Sequence, residues 1–154
     1  MIKLNIRVSH SFASDQSLAL RIRLSDLAGK PATDTDGLFY KTETGDSVID
    51  TTHGSLVLKD NTTRLEEGEV IFFYPNQSVV RRFYRPSANS NTILLTEECD
   101  QLCVMCSQPP KNKRYDQYEL YAAAILLVPQ NAVIGITGGE PTLLKDELFV
   151  FLSS

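Results

Sequence analysis

Long apolar runs are missing from this sequence of 154 residues. The longest run, at positions 122–128, is far shorter than the roughly 18 consecutive apolar residues that a membrane-spanning helix needs. The N-terminal stretch MIKLNIRVSH alternates polar and apolar residues, whereas a signal peptide has a continuous apolar core. We therefore expect a cytoplasmic protein with no membrane partner.

Basic residues are in the minority. The chain has 15 Lys and Arg against 19 Asp and Glu, which gives a net charge of −4. This balance argues against nucleic-acid binding through an ordinary basic surface. Hydrophobic residues make up 42% and charged residues 22%, as is typical of a soluble globular protein and not of a disordered one. The length accommodates one full domain or two small ones.

Cysteine is scarce and confined to one short segment. Cys99, Cys103 and Cys106 fall within eight residues, and an odd number so close together is not a disulfide framework. The two histidines, His10 and His53, lie far upstream without ligand-like spacing. A structural zinc site therefore remains an alternative that lacks a fourth ligand.

The first half of the chain has the period-two pattern of β-strands. In residues 18–24 four apolar side chains alternate with polar or small ones, and shorter candidate strands follow at 54–58, 70–74 and 79–84. Turn-forming residues, including those at 34–37, separate the strands. We predict a small β-rich domain at residues 1–90, a sheet or a barrel-like module.

The second half changes its period. Short apolar runs at 92–96 and 132–137 predict buried strands, while residues 116–128 have the spacing of an amphipathic helix and Thr142 is placed to begin another. The order strand, helix, strand, helix predicts parallel βα pairs in residues 91–154. The fold class predicted for the whole chain is accordingly α+β or α/β.

The cysteines follow the first of these strands with the spacing Cys99-x3-Cys103-x2-Cys106. Three thiolates at this spacing can hold three corners of an iron–sulfur cube and leave one iron open to an exogenous ligand. Two further alternatives stay open. The cysteines could be redox-inert, or one C-x-x-C pair could act as a dithiol, which leaves the third cysteine unexplained.

A Gly-Gly-Glu-Pro turn, Gly138 to Pro141, follows the second strand, where α/β folds bind ligands. It matches neither a phosphate loop nor a dinucleotide-binding fingerprint. Glycines let a backbone approach a ligand closely, and carbonyl oxygens at such a turn can accept hydrogen bonds from an ammonium group. Taken alone, the turn is equally compatible with a structural role.

Together the two motifs resemble those of the radical S-adenosylmethionine (radical SAM) superfamily. The stretch LLTEECDQLCVMCSQPPK, residues 94–111, is most similar to the maturase of the His-Xaa-Ser peptide modification system. The resemblance implies that Cys99, Cys103 and Cys106 ligate a [4Fe-4S] cluster. It also implies that S-adenosylmethionine binds the open iron and is cleaved to a 5′-deoxyadenosyl radical, which abstracts hydrogen from a peptide substrate.

The resemblance assigns further cofactor-binding residues. Gly138, Gly139, Glu140 and Pro141 would orient the methionine amino group of S-adenosylmethionine. Met105 stands where the superfamily usually has an aromatic residue along the adenine, and methionine also packs well on aromatic faces. The implied partners are a peptide substrate, a partner maturase, and a reductant such as flavodoxin or ferredoxin. No residue is assigned a catalytic role.

Length sets this chain apart from the superfamily, whose fold is a (β/α)6 partial barrel. A strand–helix unit takes about 30 residues, so the 64 residues at 91–154 supply only the first two units of an incomplete barrel. We therefore expect a truncated fragment, or a chain that a partner completes. The alternative functions are a non-catalytic remnant or binding module and an iron–sulfur electron-transfer protein.

Overall fold

Seven strands form a closed β-barrel at the N-terminal side of the chain. The computed structural model describes residues 5–12, 15–26, 28–59, 64–101, 103–106 and 117–153. The barrel strands are β1 (Asn5–His10), β2 (Leu18–Leu24), β3 (Asp36–Lys41), β4 (Ser47–Thr51), β5 (Gly54–Leu58), β6 (Val70–Tyr74) and β7 (Val79–Tyr84). Their order around the barrel is β1-β5-β4-β3-β2-β6-β7, and pairing of β7 with β1 closes it. Neighbouring strands are antiparallel except β2 and β3, which are parallel.

Strand β6 is buried on both of its faces. Ile71 and Phe73 point into the barrel core, while Val70, Phe72 and Tyr74 belong to a second apolar cluster outside it. A strand with two covered faces reads as a continuous apolar run, and the sequence of β6, VIFFY, is such a run. The outer face of β6 is therefore where the rest of the chain packs.

The C-terminal part forms a two-stranded parallel sheet with two short helices, which we call the second-sheet unit. It consists of β8 (Asn91–Thr96), α1 (Tyr118–Ile125), β9 (Ile134–Gly138) and α2 (Lys145–Ser153), with a 3-10 turn at Pro141–Leu144 before α2. Ile93 and Leu95 of β8 share the outer cluster with β6, and so does Phe151 of α2. The outer apolar cluster thus joins the barrel to the second-sheet unit.

The predicted fold class is wrong. Over the residues that the structure describes, it is a β-rich closed barrel of seven strands with helices of eight and nine residues, not an α/β partial barrel. The 3.6-residue period that suggested α/β architecture covers too little of the chain to set its class. Barrel closure depends on long-range pairs such as Ile6 with Val80, which no local pattern encodes.

The sequence does not predict strand β3, because its first residues are typical of turns. The sequence predicts a turn at 34–37, yet Asp36 and Gly37 begin β3 and pair with β2. A Cβ on Gly37 would lie 2.7 Å from Cγ2 of Ile49, so the glycine leaves room for a core side chain. Neither helix in the described part of the chain has the length and apolar character needed to cross a membrane.

Candidate functional site

The two sequence motifs meet at one edge of the second-sheet unit. Because β8 and β9 are parallel, the segments that follow them leave the sheet at the same edge. The Gly139 N–H donates to the Thr96 carbonyl at 3.0 Å, and the Glu140 N–H donates to the Glu98 carbonyl at 2.8 Å. These bonds fix the Gly-Gly-Glu-Pro turn against the segment that leads into the cysteines.

The approach of the two backbones requires glycine. A Cβ on Gly139 would lie 2.0 Å from the Glu98 carbonyl oxygen and 2.8 Å from Cβ of Cys99. A Cβ on Gly138 would lie 2.5 Å from the Thr96 carbonyl oxygen. The neighbouring Gly135 has no such constraint, since its nearest contact would be 3.5 Å away. Gly138 and Gly139 therefore give close contact with the cysteine segment, whereas the sequence had suggested close contact with a ligand.

The cysteine segment presents three thiols outside any disulfide. Cys99 is half-buried, and its Sγ accepts a hydrogen bond from the Gln101 N–H at 3.4 Å. Cys103 and Cys106 are exposed and joined by a tight turn in which the Cys106 N–H donates to the Cys103 carbonyl at 3.0 Å. Within the described ranges, no three His, Cys, Asp or Glu side chains are gathered as a metal-ligating group.

The donor set fits an iron–sulfur cluster in its chemistry. Cysteine thiolates are the ligands such clusters use, and N–H···S bonds of the kind made by Gln101 tune cluster potentials. The exposure of Cys103 and Cys106 leaves both thiols accessible to iron and sulfide. The first cysteine is the one held against Gly139, so a cluster on these thiols would lie beside the glycine turn.

Met105 lies at the tip of the cysteine segment. Its side chain is 95% exposed, and the adjacent Val104 is fully exposed. Met105 is therefore accessible from solvent. Burial of either apolar side chain against another surface would be favourable.

Glu140 uses its carboxylate to cap the turn that follows it. Its Oε1 accepts hydrogen bonds from the Thr142 N–H at 3.0 Å and from the Thr142 hydroxyl at 2.6 Å. These bonds hold the pKa of Glu140 below its usual value. Pro141 opens the 3-10 turn at its first position, where its missing N–H costs nothing. Both residues thus shape the backbone of the predicted ligand-binding turn.

Part of the sequence motif lies outside the described residues. This applies to positions 107–110, on which the similarity to the His-Xaa-Ser maturase depends, and to the beginning of the helix predicted at 116–128. The helix that the structure describes is α1, which begins at Tyr118.

The sequence gives no indication of two ion pairs that lie beside strands β6 and β7 of the barrel. Arg82 of β7 forms an ion pair with Glu69, whose side chain is fully buried. Arg85 forms a second ion pair with Glu66. The signal that could have found them is cross-strand register, since Arg82 pairs with Ile71, two residues beyond Glu69.

Comparison with known proteins found no match to any family model, any curated protein or any solved structure.

Proposed function

We propose that this chain binds a [4Fe-4S] cluster through Cys99, Cys103 and Cys106, and S-adenosylmethionine at the Gly138–Pro141 turn, as a radical SAM protein. The observation that carries the proposal is the contact of Gly139 with Glu98 and Cys99, where a Cβ would meet the Glu98 carbonyl at 2.0 Å. Two motifs that are separate in sequence are adjacent in space. A metal-bound small molecule could contact both of them.

The residues of the chain have distinct roles in this proposal. The three thiolates hold the metal, and the Gln101 N–H stabilises negative charge on the Cys99 sulfur. Backbone carbonyls at Gly138 and Gly139 accept hydrogen bonds from the ligand's ammonium group. The Glu140 cap on Thr142 keeps that turn in shape, and Met105 packs against the adenine. When bound, such a cluster supplies the electron for reductive cleavage of S-adenosylmethionine to a 5′-deoxyadenosyl radical.

The substrate and partners follow from the same resemblance and are part of the proposal. They are a peptide that loses a hydrogen atom to the radical, a flavodoxin or ferredoxin as reductant, and a cytoplasmic setting. A partner maturase would add the substrate-binding surface. The fully exposed Val104 and Met105 are compatible with a site whose remaining walls come from a partner.

The test is anaerobic reconstitution of the chain with iron and sulfide, followed by reduction and addition of S-adenosylmethionine. We expect a cluster with the absorption and electron paramagnetic resonance spectra of a [4Fe-4S] centre, and 5′-deoxyadenosine detected by mass spectrometry. Cys103→Ala should abolish both. Gly135→Ala is a control that should retain both the cluster and the product, because its Cβ would meet no atom closer than 3.5 Å.

Other outcomes separate the alternatives. A cluster whose spectrum does not respond to S-adenosylmethionine would overturn the radical SAM assignment in favour of electron transfer. A spectral response without 5′-deoxyadenosine would indicate a binding module. Failure to form any cluster would overturn the proposal entirely.

A further inference from the structure

A cavity of about 240 Å³ lies between the end of β7 and the start of β8. Its lining residues include Arg82, Phe83 and Arg85 at the end of β7, and Ser87, Ala88 and Asn91 between there and the start of β8. No carboxylate is among its lining residues in the part of the chain that the structure describes. The charged residues that line the cavity are therefore two arginines, each of which is paired with a carboxylate outside the lining.

Arg82 is held rigidly at this cavity. Its Nε donates to Oε1 of Glu69, and the other carboxylate oxygen of Glu69 accepts the Glu66 N–H at 3.1 Å. Glu69 is fully buried behind the arginine, and the Arg82 side chain is only 11% exposed. The pair uses Nε only, so the two terminal nitrogens of Arg82 make no hydrogen bond to any described residue. A guanidinium group that is held through Nε by a buried carboxylate, and whose terminal N–H groups are unused, is preorganised to bind an anion.

Arg85, which also lines the cavity, is fixed in a similar way. Its Nε donates to Oε1 of Glu66 at 2.7 Å and to the Ser87 hydroxyl at 3.1 Å. The Asn91 side chain holds the Arg85 backbone, accepting its N–H at 2.9 Å and donating to its carbonyl at 3.2 Å. The cavity therefore has a polar wall that needs little rearrangement on binding.

We propose that this cavity binds the carboxylate of a small molecule or peptide terminus that also carries an apolar group. The planar fork of Arg82 matches a planar carboxylate through two parallel N–H···O bonds. Phe83 and Ala88 offer apolar surface for the rest of the ligand. The volume is below the roughly 300–1,000 Å³ of drug-sized sites, so the ligand is small.

The cavity is distinct from the cysteine segment. It borders Asn91 at the start of β8, whereas the cysteines follow Thr96 at its end. Five steps of about 3.3 Å along a strand place the two sites roughly 17 Å apart. Binding here therefore stands or falls independently of the iron–sulfur proposal.

The probes are benzoate and its uncharged analogue benzamide, titrated into the full chain and followed by amide NMR shifts. We expect saturable shifts at Ser87, Ala88 and Asn91 with benzoate. Because hydrogen bonds to a charged group contribute about 1.5–3 kcal/mol, benzamide should bind roughly ten- to a hundredfold more weakly. Equal binding of the two probes, or shifts elsewhere only, would overturn the proposal.

Two variants test the geometry. Arg82→Lys keeps a positive charge beside Glu69 but removes the fork, and it should weaken benzoate binding about tenfold. Ala88→Leu fills the cavity without touching either ion pair and should abolish binding in a chain with an unchanged fold. Arg81→Lys is the matched control, because Arg81 bonds Gln77 and stacks over Tyr74 instead.

Unchanged binding in Ala88→Leu would show that the ligand sits elsewhere and would contradict the proposal. Inorganic phosphate provides the last comparison. If phosphate displaces benzoate at a lower concentration than acetate does, the site prefers a tetrahedral anion, and the carboxylate assignment is wrong.

Discussion

The barrel and the second-sheet unit differ sharply in how they bury apolar surface. Leu20, Ile49 and Phe73 are among the barrel core residues that are wholly inaccessible to solvent, and the closed ladder leaves no free strand edge. The second-sheet unit exposes large apolar side chains, including Val133 and Phe149. Two paired strands by themselves are marginal in water. The barrel therefore supplies most of the stability of the chain. The candidate site lies in the second-sheet unit, which is the less stable region.

The second-sheet unit depends on the barrel for its core. Tyr121 of α1 packs against Phe72 of β6 with ring centroids 5.7 Å apart, and against Phe83 of β7 at 6.2 Å. The Tyr74 hydroxyl donates to Oε1 of Gln117 just before α1, at 3.1 Å. Segments that carry binding sites are commonly the less stable parts of a fold. Here the barrel is the well-packed support, and the second-sheet unit, which carries the candidate site, is the more exposed part.

The largest expected effect is at the centre of the barrel. Phe73→Ala removes a fully buried ring and should lower the free energy of unfolding by about 3–5 kcal/mol. Urea denaturation followed by circular dichroism measures the loss, and hydrogen exchange should show that protection falls in both regions. A loss below about 1 kcal/mol would contradict the view that the barrel core dominates stability.

A second substitution should act on the site without unfolding the barrel. In Gly139→Ala the new methyl group meets backbone atoms of Glu98, so the turn must separate from the cysteine segment, at a cost of about 1–3 kcal/mol. Hydrogen exchange should rise at residues 96–99 and 138–140 while the barrel amides stay protected. Gly135→Ala, in the same strand, should change neither. Uniform loss of protection across the barrel would show that the two regions do not separate in this way.

The sequence predicts local elements well where one pattern decides them. Strands β2, β5, β6 and β7 have the predicted bounds, because alternation or a continuous apolar run sits between clear turns. Prediction from the sequence fails where a residue distant in the chain determines the local structure. Gly37 packs against Ile49 of β4, and the fully buried Glu69 forms an ion pair with Arg82 of β7. Such facts, and barrel closure itself, depend on long-range pairing.

The candidate site, too, is only partly predictable from the sequence. The cysteine spacing and the glycine turn are visible in the sequence, and so is the position of each after a strand. Their contact through Gly139 and Glu98 depends on the β8–β9 register, which the sequence does not contain in any short window.

The Glu66–Arg85 ion pair at the end of β7 should make stability depend on pH. Hydrogen bonds from Arg85 and Ser87 lower the pKa of Glu66 to about 2, from an ordinary value of 4.5. Because the folded pKa is depressed, this contribution is complete above about pH 4.5 and is lost as the pH falls towards 2. The group is partly exposed, so we expect at most about 1 kcal/mol.

The measurement is urea denaturation of wild type and Glu66→Gln across that pH range. The difference between the two curves should shrink as the pH falls. The opposite contribution of Glu69, whose pKa burial raises, is common to both proteins and cancels. A difference that is constant with pH would show that the Glu66 carboxylate is not held by Arg85 in solution.

The smallest expected effect comes from the exposed side of α2. Phe149 is 68% exposed, so Phe149→Ala should change the free energy of unfolding by no more than about 0.5 kcal/mol. Phe151, two residues on and buried in the outer cluster, is the matched control, and Phe151→Ala should be clearly destabilising. Urea denaturation at two protein concentrations compares them. A large and concentration-dependent effect of Phe149→Ala would mean that this ring is covered in solution, and the second-sheet unit would then be less open than the comparison with the barrel implies.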